Sequence, residues 1–138
     1  MGSDTKRNLR PAVQGRETNL GRRVSDFEGF DVFDAHPANK CVEYYSKEVT
    51  STCPVTGQPD FYEVSITILE PVTLIESKTM KLYLQSFRHT DGEFCEAMSG
   101  SICEAVHEAT QATKCIVEVS QVPRGGVGII ARSEMPND

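Results

Sequence analysis

Cys53 and Asp60 are the residues whose types and spacing point most directly to chemistry. They flank residues 56–59, Thr-Gly-Gln-Pro, a turn-forming segment that brings the acid round towards the thiol. A cysteine acts as a nucleophile through an accessible thiolate, and a neighbouring carboxyl group can exchange a proton with it. The pair therefore suits addition to a neutral electrophile that must itself gain a proton. The alternative is an inert loop thiol beside a turn-capping or surface acid.

A second cluster, ESKTMKLY at 76–83, places Glu76 and Ser77 before a helix that carries Lys78 and Lys81. Helix N-termini with nearby lysines attract phosphate groups. Taken alone the pattern is equally that of a solvated amphipathic helix.

The third cluster is Phe94 and Glu96 at the start of a second helix. A phenylalanine ring can stack on a flat heterocycle, and a carboxylate can accept paired N–H donors, such as those of a guanine-like edge. The alternative is a first-turn acid beside a core phenylalanine.

Hydrophobic spacing predicts the elements that position these clusters. Apolar residues alternate in strand fashion at 61–70 and 114–122, and helical spacing covers 77–88 and 94–113. Residues 40–50, rich in β-branched and aromatic side chains, and residues 127–132, after the turn at Gly125 and Gly126, are further predicted strands. The predicted inward faces carry Tyr62, Val64, Ile66 and Ile68 in one strand, Met80, Leu84 and Phe87 in one helix, and Phe94, Met98, Ile102, Ala105 and Ala109 in the other. The order ββααββ indicates an α+β fold, an antiparallel four-stranded sheet with two helices on one face. Its open edges favour assembly with other copies.

The first 25 residues are predicted to be a basic, flexible arm ahead of a single domain at 26–138. Residues 26–39 follow as an edge strand or strap that docks Phe27, Phe30 and Phe33. The net charge of −6 argues against nucleic-acid binding. No apolar run is long enough for a membrane span or a secretory signal, so a cytoplasmic location is expected.

The five cysteines form no C-x-x-C pair and no cluster with the three histidines. Reduced thiols and no metal site are therefore expected. Cys41, Cys103 and Cys115 fall in predicted strands or helices and are interpreted as small core residues.

Four separated blocks together resemble the NADPH-dependent 7-cyano-7-deazaguanine reductases, the nitrile reductases of queuosine biosynthesis, a pathway of tRNA modification. They are TSTCPVTGQPDF at 50–61, ESKTMKLYLQSFR at 76–88, GEFCE at 92–96 and PRGG at 123–126. The resemblance implies the tunnelling fold, in which ββααββ units join into an oligomeric barrel with active sites between subunits.

The resemblance also implies roles for individual residues. Cys53 would attack the nitrile carbon to form a thioimide, Asp60 would protonate the nitrogen, and two NADPH would reduce the adduct to 7-aminomethyl-7-deazaguanine. The residues implied to contact the substrate are Glu76, Ser77, Phe94, Cys95 and Glu96, and those implied to bind NADPH are Lys78, Lys81, Tyr83, Arg124 and Gly125.

Two positions depart from the family pattern. Cys95 stands where a histidine is usual, which places a thiol where it could pair with Cys53 under oxidation. Thr79 stands where serine or alanine is common, a minor change of volume. Two alternatives remain open: a relative that forms an amidine from the same nitrile without NADPH, and a non-catalytic protein that binds a purine or pterin or only assembles. Retention of both Cys53 and Asp60 favours an enzyme.

Overall fold

The computed structural model of the chain describes residues 8–16, 18, 26–53, 55–89 and 94–137. Among these residues there are seven β-strands and two α-helices. The strands are β1 (Arg10–Pro11), β2 (Asp31–Asp34), β3 (Cys41–Thr52), β4 (Pro59–Leu69), β5 (Thr73–Ile75), β6 (Lys114–Arg124) and β7 (Val127–Met135). The helices are α1 (Ser77–Gln85), which runs into a 3₁₀ turn at Ser86–His89, and α2 (Cys95–Thr110).

The larger sheet is antiparallel, with the strand order β3-β4-β6-β7. Side chains of β4 alternate between buried and exposed, and the buried set contains the four residues predicted to face inward. That alternation follows from the two-residue period of an extended strand with one covered face. The ββααββ order of the sheet and its helices is therefore confirmed.

Both helices pack on the covered face of this sheet. Met80, Leu84 and Phe87 belong to the same core cluster as Ile66, Ile68 and Val117. The prediction for α2 was wrong at one residue, because Phe94 precedes the helix as its N-cap and is 60% exposed. The inward stripe of α2 begins instead at Cys95 and continues through Met98, Ile102 and Val106.

A second antiparallel sheet, which the sequence did not predict, has the order β1-β2-β5. Within the stretch predicted to be a flexible arm, Arg10 and Pro11 pair with Val32 and Asp31 of β2. Part of that stretch therefore lies along the domain, while residues 1–7, 17 and 19–25 fall outside the described residues. Phe30 is buried, and the Phe27 ring packs against it with centroids 5.1 Å apart, so these two rings of the predicted strap dock on the domain.

No helix of the described part of the chain covers the other face of the larger sheet. Tyr45, Phe61 and Ile130 are exposed there, and among the described residues β3 and β7 each have a neighbouring strand on one side only. Cys41 also lies on this face, opposite Leu69, and is exposed, so its assignment to the core was wrong, whereas Cys103 and Cys115 are buried as predicted. No helix among the described residues combines the length and apolar character needed to cross a membrane.

Candidate active site

The Cys53 loop follows directly after β3 and is closed by backbone hydrogen bonds. The Cys53 N–H donates to the Gln58 carbonyl oxygen at 2.7 Å, and the Gly57 N–H donates to the Cys53 carbonyl oxygen at 2.9 Å. Gly57 adopts φ of +75°, a left-handed conformation that costs glycine little. These contacts fix the backbone of Cys53, whose side chain is half-buried.

Thr56 is the main partner of the Cys53 thiol. Its hydroxyl hydrogen-bonds the sulfur, as do the backbone N–H groups of Thr56 and Val55, and together they lower the pKa of the Cys53 thiol. Desolvation and the nearby charge of Asp60 act in the opposite direction and are smaller. The Thr56 Oγ1 also accepts the Gln58 N–H at 3.3 Å, which orients the hydroxyl within the loop. The loop therefore favours the nucleophilic thiolate.

Asp60 lies in β4, the strand next to β3, and β3 leads directly to Cys53. Asp60 pairs with Ser51 across the β3–β4 ladder and is 4% exposed. Its charge is close enough to act on the pKa of the Cys53 thiol, so the structure brings the predicted nucleophile and acid together. Ser51 is also buried, and its hydroxyl has no hydrogen-bond partner among the described residues.

Glu76 is the N-cap of α1. Its carboxylate accepts the N–H of Lys78 at 2.9 Å and that of Thr79 at 3.1 Å. The helix terminus that the sequence suggested for phosphate is therefore already occupied by a carboxylate from its own chain. Tyr44 fixes the residue before it, because its hydroxyl donates to the Ile75 carbonyl at 2.8 Å and accepts the Ile75 N–H at 3.0 Å.

A cavity of about 290 Å³ lies between β3 and α1. Ser77, Lys81 and Arg88 line it, together with Tyr44 and other residues of both elements. Its lining includes none of Cys53, Asp60, Phe94 or Glu96. The described chain thus carries the cationic residues and the thiol loop in separate places.

Tyr83 points away from that cavity. Its ring packs against Phe27, Phe30 and Phe87 with centroid separations of 5.1, 4.9 and 5.4 Å. Residues two apart on a helix face opposite sides, so Tyr83 cannot share the Lys81 surface. In the single chain the ring therefore belongs to an aromatic cluster under the N-terminal segment. Its assignment to cofactor binding stays a prediction from the family motif.

The start of α2 presents two of its three predicted site residues to solvent. Phe94 and Glu96 are exposed, and Glu96 lies in the first turn. The Cys95 thiol instead points into the core, where it donates to the Val119 carbonyl at 3.3 Å, and burial raises its pKa. In the single chain the thiol is therefore not presented beside Glu96. Its roles as a substrate contact and as an oxidation partner of Cys53 stay predictions.

Gly125 lies in the exposed turn between β6 and β7, with φ of +62°. The side chain of Arg124 is outside the described part of the molecule. Among the described residues, no group of three or more His, Cys, Asp or Glu side chains is placed to hold a metal ion.

Sequence reasoning missed Thr56 and Arg88. Thr56 sits inside the quoted Thr-Gly-Gln-Pro turn, where a hydroxyl three residues after the cysteine can fold back onto it. Arg88 follows Lys81 by two helical turns, a spacing that puts both cations on one side.

Comparison with known proteins identifies the family of the chain. A sequence model described as "QueF-like protein" matches residues 59–137. The NADPH-dependent 7-cyano-7-deazaguanine reductase of Syntrophus aciditrophicus is 35% identical over 126 residues, covering 90% of this chain and 89% of the relative. The enzyme of the same name from Bacteroides fragilis is 41% identical over 120 residues, covering 86% and 78%.

A solved structure, "archaeosine synthase QueF-Like in the apo form", matches with a TM-score of 0.63 over 69% of this chain and 92% of that one. At 21% sequence identity, this similarity shows a shared fold. From the match to the family and the identities over most of the chain, we conclude that this protein belongs to the QueF-like family.

Proposed function

We propose that this protein is an NADPH-dependent 7-cyano-7-deazaguanine reductase of queuosine biosynthesis. Its relatives at 33–43% identity carry that name. The observation that carries the proposal is the Cys53 loop, where hydrogen bonds from Thr56 and Val55 favour a thiolate within range of Asp60. A nitrile needs such a pair, because its carbon is attacked while its nitrogen must be protonated.

In the first step the Cys53 sulfur forms a bond to the nitrile carbon. One π-electron pair of the C≡N bond moves to nitrogen. The nitrogen takes, through Asp60, the proton that the Cys53 thiol releases on becoming a thiolate, and a thioimide results. Asp60 is buried beside the loop, so proton transfer takes place away from bulk water.

When bound, NADPH supplies a hydride to the substrate carbon in each of two reductions, which with two protons convert the nitrile into an amine. Between them the C–S bond breaks and Cys53 leaves as a thiolate. The same hydrogen bonds from Thr56 that lower the thiol pKa stabilise the departing sulfur.

We assign the phosphates of this cofactor to the cavity beside α1, whose lining contains two cationic residues and one acid, Glu48. Lys81 and Arg88 supply positive charge and Ser77 supplies a hydroxyl. Since Glu76 already occupies the amides of Lys78 and Thr79, phosphate contacts would come from side chains. Lys78, Arg124 and Gly125 are proposed as further NADPH contacts on the strength of the family motifs alone.

We assign base recognition to Glu96 and Phe94, with Glu76 and Ser77 as additional substrate contacts. The exposed Glu96 carboxylate can accept the paired N–H donors of a guanine-like edge, and the exposed Phe94 ring can stack on the base. Both are solvent-exposed in the single chain, which suits a pocket completed by another surface.

Assembly would complete that pocket. The edges of β3 and β7, which no other described strand pairs with, suit the joining of sheets from successive subunits into a barrel of the tunnelling-fold type. Active sites between subunits would then unite a thiol loop with the base-binding residues of a neighbour. A cytoplasmic location and the absence of nucleic-acid contacts remain predictions from the sequence.

The test is a titration of the protein with 7-cyano-7-deazaguanine while NADPH absorbance is followed. The proposal predicts consumption of two NADPH per base, with 7-aminomethyl-7-deazaguanine as product. Binding of the base without any NADPH oxidation would contradict it and favour the amidine-forming or non-catalytic alternatives, which the names of the relatives do not favour.

A further inference from the structure

Arg16 and Asp31 form an ion pair between the N-terminal segment and β2, in which the arginine is partly exposed and the carboxylate is buried. Arg16 Nη1 lies 2.9 Å from Asp31 Oδ1, and the Asp31 side chain has no exposed surface. The Arg16 Nη2 also donates to the Phe30 carbonyl oxygen. A buried carboxylate strongly favours a structure that keeps its cation in place.

Gly29 shapes the backbone around this guanidinium. It adopts φ of +116°, and a Cβ added there would lie 2.9 Å from Arg16 Nε. A side chain at position 29 would therefore displace the arginine. The guanidinium thus packs closely against the backbone of Gly29, which distinguishes this ion pair from one on the surface.

The backbone of Asp31 is joined directly to the start of α1. Its carbonyl accepts the Glu76 N–H at 2.9 Å, and its N–H donates to Thr79 Oγ1 at 3.2 Å. The Thr79 hydroxyl in turn donates to the Glu76 carbonyl at 2.9 Å. Thr79 is thus a bridge between β2 and α1, and its hydroxyl matters more than the volume change noted from the sequence.

We propose that Arg16 is a positioning residue that holds the start of α1, and with it Ser77 and Lys78, in the geometry that binds substrate and cofactor. The identity of the substrate and the cofactor in this inference rests on the proposed function. Its physical basis is a continuous chain of contacts: Arg16 holds Asp31, Asp31 holds Glu76 and Thr79, and Glu76 caps the helix. A small displacement of binding groups lowers catalytic efficiency even when the chemistry is untouched.

The test compares Arg16→Met with Arg10→Met. Arg10 is the matched control, because it pairs with Asp34 on the same segment at 3.0 Å, but both side chains are about half exposed. Hydrogen exchange of the free protein measures the amides of Lys78 and Thr79, and steady-state assays measure KM and kcat for NADPH and the base.

Arg16→Met is expected to speed exchange at these amides by about tenfold or more and to raise KM by about tenfold, with kcat within about threefold. Alkylation of Cys53 stays at the wild-type rate, since its loop is held by other contacts. Arg16→Lys restores part of the loss, because lysine keeps the charge beside Asp31 but has no second nitrogen to donate to the Phe30 carbonyl oxygen. Arg10→Met is expected to leave the exchange rates, KM, kcat and the alkylation rate unchanged.

Wild-type exchange and KM in Arg16→Met would overturn the proposal, and so would an equal effect of Arg10→Met. If Arg16→Met does not fold, Thr79→Val provides the same test, since it removes the bridging hydroxyl and should speed exchange at the same amides; unchanged exchange there overturns the proposal as well. Hydrogen exchange needs no substrate, so it decides the link to α1 even if wild-type protein fails to oxidise NADPH.

Discussion

Replacing Tyr44 with phenylalanine tests how much the hydrogen bonds between Tyr44 of β3 and Ile75 of β5 stabilise the fold. The Tyr44 hydroxyl is hydrogen-bonded to both backbone groups of Ile75, at 2.8 and 3.0 Å, and β5 pairs with one strand, β2, within the described ranges. Ile75 is 1% exposed, so its N–H and C=O would lose these partners out of reach of bulk water. A buried group left unsatisfied costs about 1–3 kcal/mol, and the two together should lower the free energy of unfolding by about 2–4 kcal/mol.

The assay is thermal unfolding at fixed protein concentration, because assembly makes Tm depend on concentration. For a chain of this length the loss corresponds to a fall in Tm of about 6–15 °C. Tyr45→Phe is the control, since Tyr45 is the next residue but 74% exposed. Its Tm should change by less than about 2 °C. Equal Tm values for Tyr44→Phe and wild type would refute the role of this hydroxyl.

The raised pKa of Tyr44 predicts that the protein loses stability at alkaline pH. Burial raises the pKa of Tyr44 from its ordinary value near 10 to about 12, outweighing the hydrogen bond to Ile75. Between these values the unfolded tyrosine has lost its proton while the folded one keeps it, so stability falls as pH rises. One proton corresponds to about 1.4 kcal/mol per pH unit, or about 2–3 kcal/mol in all. Denaturant titrations from pH 9 to 12 should show this extra loss in wild type and not in Tyr44→Phe.

The remaining predictions concern the site and the assembly. Thr56→Val should slow iodoacetamide alkylation of Cys53 at neutral pH, because the thiolate loses its main donor, whereas Thr56→Ser should keep the wild-type rate. In a Cys53→Ala background, calorimetry should show base affinity at least about tenfold weaker for Glu96→Leu and little changed for Asp60→Asn. With Cys53 present, Asp60→Asn should lower turnover by about 10²–10⁴, and the reverse pattern would exchange the two roles. Light scattering should give a multiple of 15.3 kDa, and a monomer at micromolar concentration would contradict assembly.

Local periodicity was sufficient to predict the main sheet and its helices. The alternation of Tyr62, Val64, Ile66 and Ile68 has one interpretation, because only an extended strand with one covered face has that period. The short strands of the second sheet carry no such signal. β1 spans only Arg10–Pro11, and its existence depends on pairing with a strand about twenty residues later.

The site could be predicted in part for a similar reason. Cys53 and Asp60 are joined by a short turn whose residue types reveal its path, so their proximity follows from local sequence. The burial of Cys95 does not follow from local sequence. It depends on α2 beginning one residue later than the pattern suggested and on packing against Val119 of β6. The Arg16–Asp31 pair likewise joins segments that no local pattern connects.

The central claim, that Cys53 is the nucleophile for a nitrile, is tested most directly by intact-protein mass spectrometry. Wild-type protein mixed with 7-cyano-7-deazaguanine in the absence of NADPH should gain the mass of one base per chain, and addition of NADPH should discharge it. Cys41→Ala, which removes the exposed thiol of β3, should still form the adduct, whereas Cys53→Ala should not. An adduct that persists in Cys53→Ala would contradict the account.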